Sequence, residues 1–98
     1  MLTRIVHMNY RSLNSIAATN IDSMRGATHE SIEQLSANTN IPLSTLKARL
    51  ARRYSYTLDE IELLARHWGI DGAGLLSPDF SATKALADRG VRDEHDDR

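Results

Sequence analysis

The chain is 98 residues long, with 41% hydrophobic residues, 26% charged residues and a formal net charge of −1. That length suits one domain. With one Trp, three Tyr and one Phe, aliphatic side chains must fill most of its core, and the lack of cysteine excludes disulfides, thiolate metal sites and cysteine nucleophiles.

No apolar run approaches the ~20 residues of a membrane helix. The N-terminal residues hold no apolar stretch of signal-peptide length. A reducing, cytoplasmic location is therefore expected. Apolar residues recur with a helical period, and no period-two alternation or Asn-Gly or Asp-Gly hairpin signal is present. The expected fold class is all-α, a compact bundle of about five short helices.

In chain order, residues 1–9 read as an N-terminal arm. The first helix is predicted over residues 10–25, with Leu13, Ile16, Ala17, Ile21 and Met24 on one stripe and Gly26 as its stop. A second is predicted over 29–38, capped by Thr28 or Ser31. Ser31 with Gln34 forms a capping-box pattern, and Ile32, Leu35 and Ser36 face inward. Asn38, Thr39 and Asn40 then break it, since Asn tolerates the left-handed conformation of a tight turn.

The third helix starts at Pro42 or Leu43, carries Leu46 and Leu50 inward, and ends near Arg53. After the loop Tyr54-Ser55-Tyr56, Thr57 caps a fourth helix, with Glu60 completing a second capping box. Its predicted buried stripe is Leu58, Ile61, Leu64, Ala65 and Trp68, and Gly69 ends it. Asp71 caps a short turn through Leu75 and Leu76, closed by Pro78. The segment 78–90 is predicted to hold an extra C-terminal helix around residues 81–88, and 91–98 a charged, disordered tail.

The charge is unevenly placed. Between Pro42 and Tyr56 stand Lys47, Arg49, Arg52 and Arg53 with no acid among them. A local basic patch on a near-neutral chain is the footprint of a specific nucleic-acid binder, because the field a phosphate feels is local. The pair of short helices around the 38–42 turn supplies the matching geometry. In such a unit the second helix projects its N-terminal residues into a major groove about 12 Å wide.

The residues from Ile32 to Leu50, and above all the run STLKARLARRYSYTLDEIELLARHWGID, resemble the lambda repressor/Cro family of helix-turn-helix domains. The pattern is closest to that of actinobacterial and actinophage repressors. Ser36 matches the small residue of the first helix, Asn40 stands where the turn glycine is usual, and Ile41 and Leu46 match the apolar anchors. Arg49 stands where many members carry an apolar residue, a role that falls to Leu50. The resemblance spans residues 13–76 and implies a helix-turn-helix DNA-binding domain over residues 10–77.

It further implies a transcriptional repressor in a bacterial host cell, occupying double-stranded operator DNA through a recognition helix at 43–52. Base contacts fall to Leu43, Ser44, Lys47 and Ala48. Lys47 suits guanine O6 and N7, Ser44 suits most base edges, and Leu43 and Ala48 suit thymine methyls. Phosphate contacts fall to Gln34, Thr45, Arg49, Arg52, Arg53, Tyr54 and Tyr56.

A homodimer on a pseudo-palindrome is also expected, through residues 75–86 or 2–8. The alternative class is a protein-interaction module, an antitoxin or adaptor, marked by an apolar patch at Leu75, Phe80 and Leu86. An architectural protein that bends DNA is a third reading.

Catalytic chemistry is not expected. His7, His29, His67 and His95 lack metal-ligand spacing, and there is no Gly-rich phosphate loop. Asp59, Glu60 and Glu62 are explained by a helix start. No metal, cofactor or small-molecule ligand is implied.

Overall fold

A computed structural model describes the backbone of residues 12–96 and the side chains of residues 12–89. Among the described residues there are five α-helices, one 3-10 helix and no strand. The α-helices are α1 (Leu13–Thr28), α2 (Ile32–Thr39), α3 (Leu43–Leu50), α4 (Leu58–Trp68) and α5 (Ala82–Asp96); the 3-10 turn is Gly72–Leu76. No described helix is long and apolar enough to cross a membrane. The predicted arm at residues 1–9, including the candidate dimer segment at 2–8, lies outside the described residues.

The starts of the helices follow local side-chain chemistry. Ser12, Ser31, Thr57 and Asp71 each accept a hydrogen bond from a backbone N–H in the turn they open. Both capping boxes form: Gln34 Oε1 accepts from Ser31 N at 2.9 Å, and Glu60 Oε1 accepts from Thr57 N at 3.0 Å.

The ends follow a different rule. Four helices close on a residue with positive φ: His29 at 60°, Asn40 at 66°, Arg52 at 64° and Gly69 at 70°. At His29, Arg52 and Gly69 the closing N–H groups reach back in paired Schellman bonds, as in Arg52 N to Arg49 O and Arg53 N to Ala48 O, both 3.0 Å. Gly26 therefore does not stop α1, contrary to the sequence reading. A glycine within a helix costs about 1 kcal/mol, and the hydrogen bonds that close the helix beyond it, from His29 N to Gly26 O, Glu30 N to Arg25 O and Thr28 Oγ1 to Met24 O, offset that cost. In the same way α3 ends at Leu50, short of the expected Arg53.

A non-glycine residue held at positive φ carries a steric cost of roughly 1–2 kcal/mol. His29 is exposed, and its side chain makes no hydrogen bond among the described residues. The substitution His29→Gly is expected to raise stability by roughly 0.5–1 kcal/mol and Tm by a few degrees, after glycine's extra unfolded-state entropy is subtracted. Thermal unfolding followed by circular dichroism checks this. A fall in Tm would show that the imidazole contributes something that the backbone argument omits.

The core is built from one stripe of each element. Ile21 and Met24 of α1, Leu35 of α2, Leu46 of α3, Leu64 and Trp68 of α4, and Leu75 of the 3-10 turn are essentially inaccessible. Asn20, itself buried, ties the 3-10 turn to α1 by donating from Nδ2 to the carbonyls of Leu75 and Ser77, both at 2.9 Å. The amide is satisfied where an apolar side chain would leave two carbonyls bare.

Two residues expected in the stripes are exposed: Leu13 at 61% and Leu58 at 73%. Both open their helices, where the chain is still entering the bundle. Periodicity shows which residues share a face, not where that face leaves the core.

Helix α5 extends to Asp96, six residues into the segment expected to be disordered from 91. Its first half, with Ala82, Lys84, Ala85, Leu86, Ala87 and Arg89, is made of residues that propagate a helix well. It seats Ala82, Ala85 and Leu86 against the core, and Arg89 donates to the Trp68 carbonyl at 2.7 Å.

Candidate nucleic-acid interface

The connection between α2 and α3 is three residues long and fixed at each one. Asn40 N donates to Ser36 O at 2.9 Å, Ser36 Oγ donates to Ile41 O at 2.7 Å, and Thr39 Oγ1 donates to Leu35 O at 2.7 Å while accepting from Ile41 N. Ile41, 2% exposed, is the apolar pin of the turn. Ser36 thus acts by hydrogen bonding as well as by being small. Asn40 supplies the left-handed conformation that the usual glycine would.

Helix α3 starts at Pro42 without a side-chain cap. It turns Leu46 fully inward, and Leu50 packs against the core beside it. The residues expected at bases divide. Ser44 and Lys47 are exposed one turn apart, whereas Leu43 and Ala48 are partly covered and present only an edge. Thr45 is also partly buried. Gln34 is exposed, but its oxygen is used in the α2 capping box, which leaves its amide nitrogen to donate elsewhere.

The arginines are the main departure from the expected map. Arg49 is not available to a phosphate as it stands: Nε and one terminal nitrogen grip Glu60 at 2.9 and 3.0 Å, with both side chains largely covered. Glu60 serves two masters, the α4 cap and this fork. Burial raises its carboxyl, but the hydrogen bonds and charge of Arg49 and the bonds from Thr57 outweigh that and hold its pKa below the ordinary value. Arg52 pairs with Asp22 at 3.0 Å, yet both side chains are about half exposed. Such a pair is worth at most about 1 kcal/mol, so Arg52 can be drawn away.

Arg53 is exposed and has no acidic partner among the described residues, and Tyr54 is 66% exposed. Tyr56 is corrected outright: it is 7% exposed, its hydroxyl is sealed from solvent, and burial above all pushes the phenol's pKa up. Its ring belongs to the core, so the hydroxyl does not stand out on the surface as the sequence reading expects. The unpaired positive charge of this face is thus Lys47 at one end and Arg53 at the other.

A second polar cluster went unnoticed in the sequence. Glu30, in the link between α1 and α2, accepts from Trp68 Nε1 at 2.7 Å and Thr28 Oγ1 at 2.7 Å, and also pairs with His67 Nε2. Burial raises this carboxyl, and the three hydrogen bonds with the His67 charge override it, so its pKa lies below the ordinary value. His67, expected as a plain surface residue, is mostly covered, at 21% side-chain exposure. The partners are 37 and 38 residues apart in sequence, and no local pattern announces them. Among the described residues no three His, Cys, Asp or Glu side chains are grouped so as to hold a metal ion.

No protein family, curated protein or solved structure matches the chain.

Proposed function

We propose that the chain is a sequence-specific DNA-binding regulator of the repressor type, with α3 as the recognition helix. The observation that supports this most directly is the α2–α3 pair: two eight-residue helices joined by a fully hydrogen-bonded turn, the second pinned by Leu46 with Ser44 and Lys47 left outward. A helix entering the major groove needs that arrangement, a rigid seat behind and a few free donors in front. Lys47 reads base edges, and Ser44 adds an adaptable donor and acceptor. Arg53 and Tyr54, with Arg52 once it leaves Asp22, bind the phosphate backbone and set register. Binding to a promoter in this way excludes polymerase.

The interaction-module reading loses its expected marker. Leu75 is inaccessible and Leu86 is partly buried against the core, while Phe80 lines a cleft with Ile70 and Ala85, so the three expected residues do not share one patch.

Two substitutions test the assignment of roles. Lys47→Ala is expected to weaken the best site by about 1–3 kcal/mol while changing binding to random duplex much less. Arg53→Ala is expected to weaken both alike and to flatten the salt slope by about one unit. Fluorescence anisotropy on labelled duplexes across a salt series measures both, starting with DNA upstream of the protein's own gene against scrambled DNA. Identical behaviour of the two variants on specific and random DNA would sink the map. Equal, weak binding of the native chain to both duplexes would favour a protein partner, sought next by pull-down.

A further inference from the structure

A cavity of about 400 Å³ opens between the N-terminus of α1 and the chain that leaves α3. Asn14 and Ser15 of α1 line it, together with Arg49, Arg52, Arg53, Tyr54 and Tyr56. Among the described residues no carboxylate lines it. We propose that this cleft is a binding pocket for a single phosphoryl group, held by Arg53 and Arg52 with the Tyr56 hydroxyl behind them.

Three independent observations meet there. The first is charge. Among the described residues Arg53 has no acidic partner, and Arg52 is held only by a half-exposed ion pair with Asp22, which a dianion can replace at little cost. Arg49 stays on Glu60 and contributes field, not a ligand.

The second is the backbone. Helix α1 is 16 residues long, and Ser12 caps only the N–H of Ser15, so the N–H groups of Leu13 and Asn14 lack an intrahelical acceptor at the positive end of the helix.

The third is the hydroxyl. Tyr56 is more than nine-tenths buried, lines this cleft, and its oxygen has no hydrogen-bond partner among the described residues. A buried hydroxyl without a partner is costly, and phenylalanine would fill the same core site without that cost. A group that enters the cleft and accepts from this hydroxyl gives the oxygen a use. The raised phenol pKa keeps the proton in place to be donated.

The phosphoryl group has two sources with the same chemistry: a backbone phosphate of DNA, which rests on the reading above, or the phosphate of a small molecule, which does not. The experiment uses the full chain and two variants, Arg53→Ala and Tyr56→Phe. Thermal unfolding is measured by circular dichroism in rising inorganic phosphate, against chloride at matched ionic strength. Binding of a short DNA duplex is measured in parallel.

The expected result is that phosphate raises Tm with concentration as a bound ligand must, that Arg53→Ala abolishes the rise, and that Tyr56→Phe weakens the apparent affinity by roughly three- to tenfold. If free phosphate has no effect but both variants weaken the duplex, the pocket stands with the DNA backbone as its source. If phosphate binds as expected and no duplex does, the pocket stands and the DNA reading falls. A phosphate response that Tyr56→Phe leaves unchanged overturns the pocket, because general screening by surface arginines then explains it. Duplex binding indifferent to both variants, with no phosphate response, overturns it as well while leaving the DNA reading intact.

Discussion

Leu46→Ala is expected to destabilise the fold by roughly 3 kcal/mol, within the 2–5 kcal/mol typical of truncating a buried leucine. For a chain of this size that is a fall in Tm of on the order of 15 °C. Leu46 is the one α3 side chain wholly withdrawn from solvent, at 0% exposure. The other inward leucine, Leu50, is only partly covered. An eight-residue helix has little stability of its own, since nucleation must be supported by packing. Truncating its one deep anchor therefore leaves a cavity and loosens the element proposed to read DNA. Urea unfolding measures the loss. Leu50→Ala should cost clearly less, and equal costs at the two positions would show that α3 is seated differently.

The second large effect is expected at Glu30. Glu30→Ala removes the acceptor of three donors at once and leaves the Trp68 N–H, on a side chain 1% exposed, without its bond. An orphaned buried donor costs about 1–3 kcal/mol, and the loss of the charged acceptor adds to that, for an expected total near 3 kcal/mol. Glu30→Gln retains the shape and one acceptor oxygen and should cost about half as much.

The same carboxylate gives the fold an acid-sensitive limb. Glu30 and Glu60 both have pKa values lowered in the folded chain from an ordinary 4.5. Below that value the unfolded chain takes up protons first, so the stability these groups contribute is complete above pH 4.5 and is lost as pH falls through their lowered values. Urea midpoints measured from pH 6 downward should fall below that point in the native chain and fall less steeply in Glu30→Gln. A flat profile would mean that neither carboxylate is held as described.

What could be read from the sequence is what lies within one helical turn. Ser31 with Gln34, Thr57 with Glu60, and Asp71 ahead of a short turn each place a cap three or fewer residues from the N–H it serves, and all three form. Helix ends were harder, because the residues that close α1 and α3, His29 and Arg52, carry no sequence mark of the left-handed conformation as glycine does.

The basic patch was legible as composition but not as charge. Arg49 meets Glu60 across 11 positions and Arg52 meets Asp22 across 30, so only the fold reveals that two of the four bases are paired. Tyr56 illustrates the same limit, since a loop tyrosine reads as a surface hydroxyl until the loop is seen to turn its ring inward.

The contact between Trp68 and Glu30 has a spectroscopic consequence. The chain holds a single tryptophan, its indole is sealed from water, and its N–H rests on a carboxylate. Emission from the native chain is then a one-site signal of the junction of α1, α4 and α5, blue-shifted while that junction holds and red-shifted once water reaches the ring. The same burial, away from the exposed Ser44 and Lys47, makes the intrinsic fluorophore a reporter of folding and a poor reporter of DNA, so a binding titration needs its dye on the duplex.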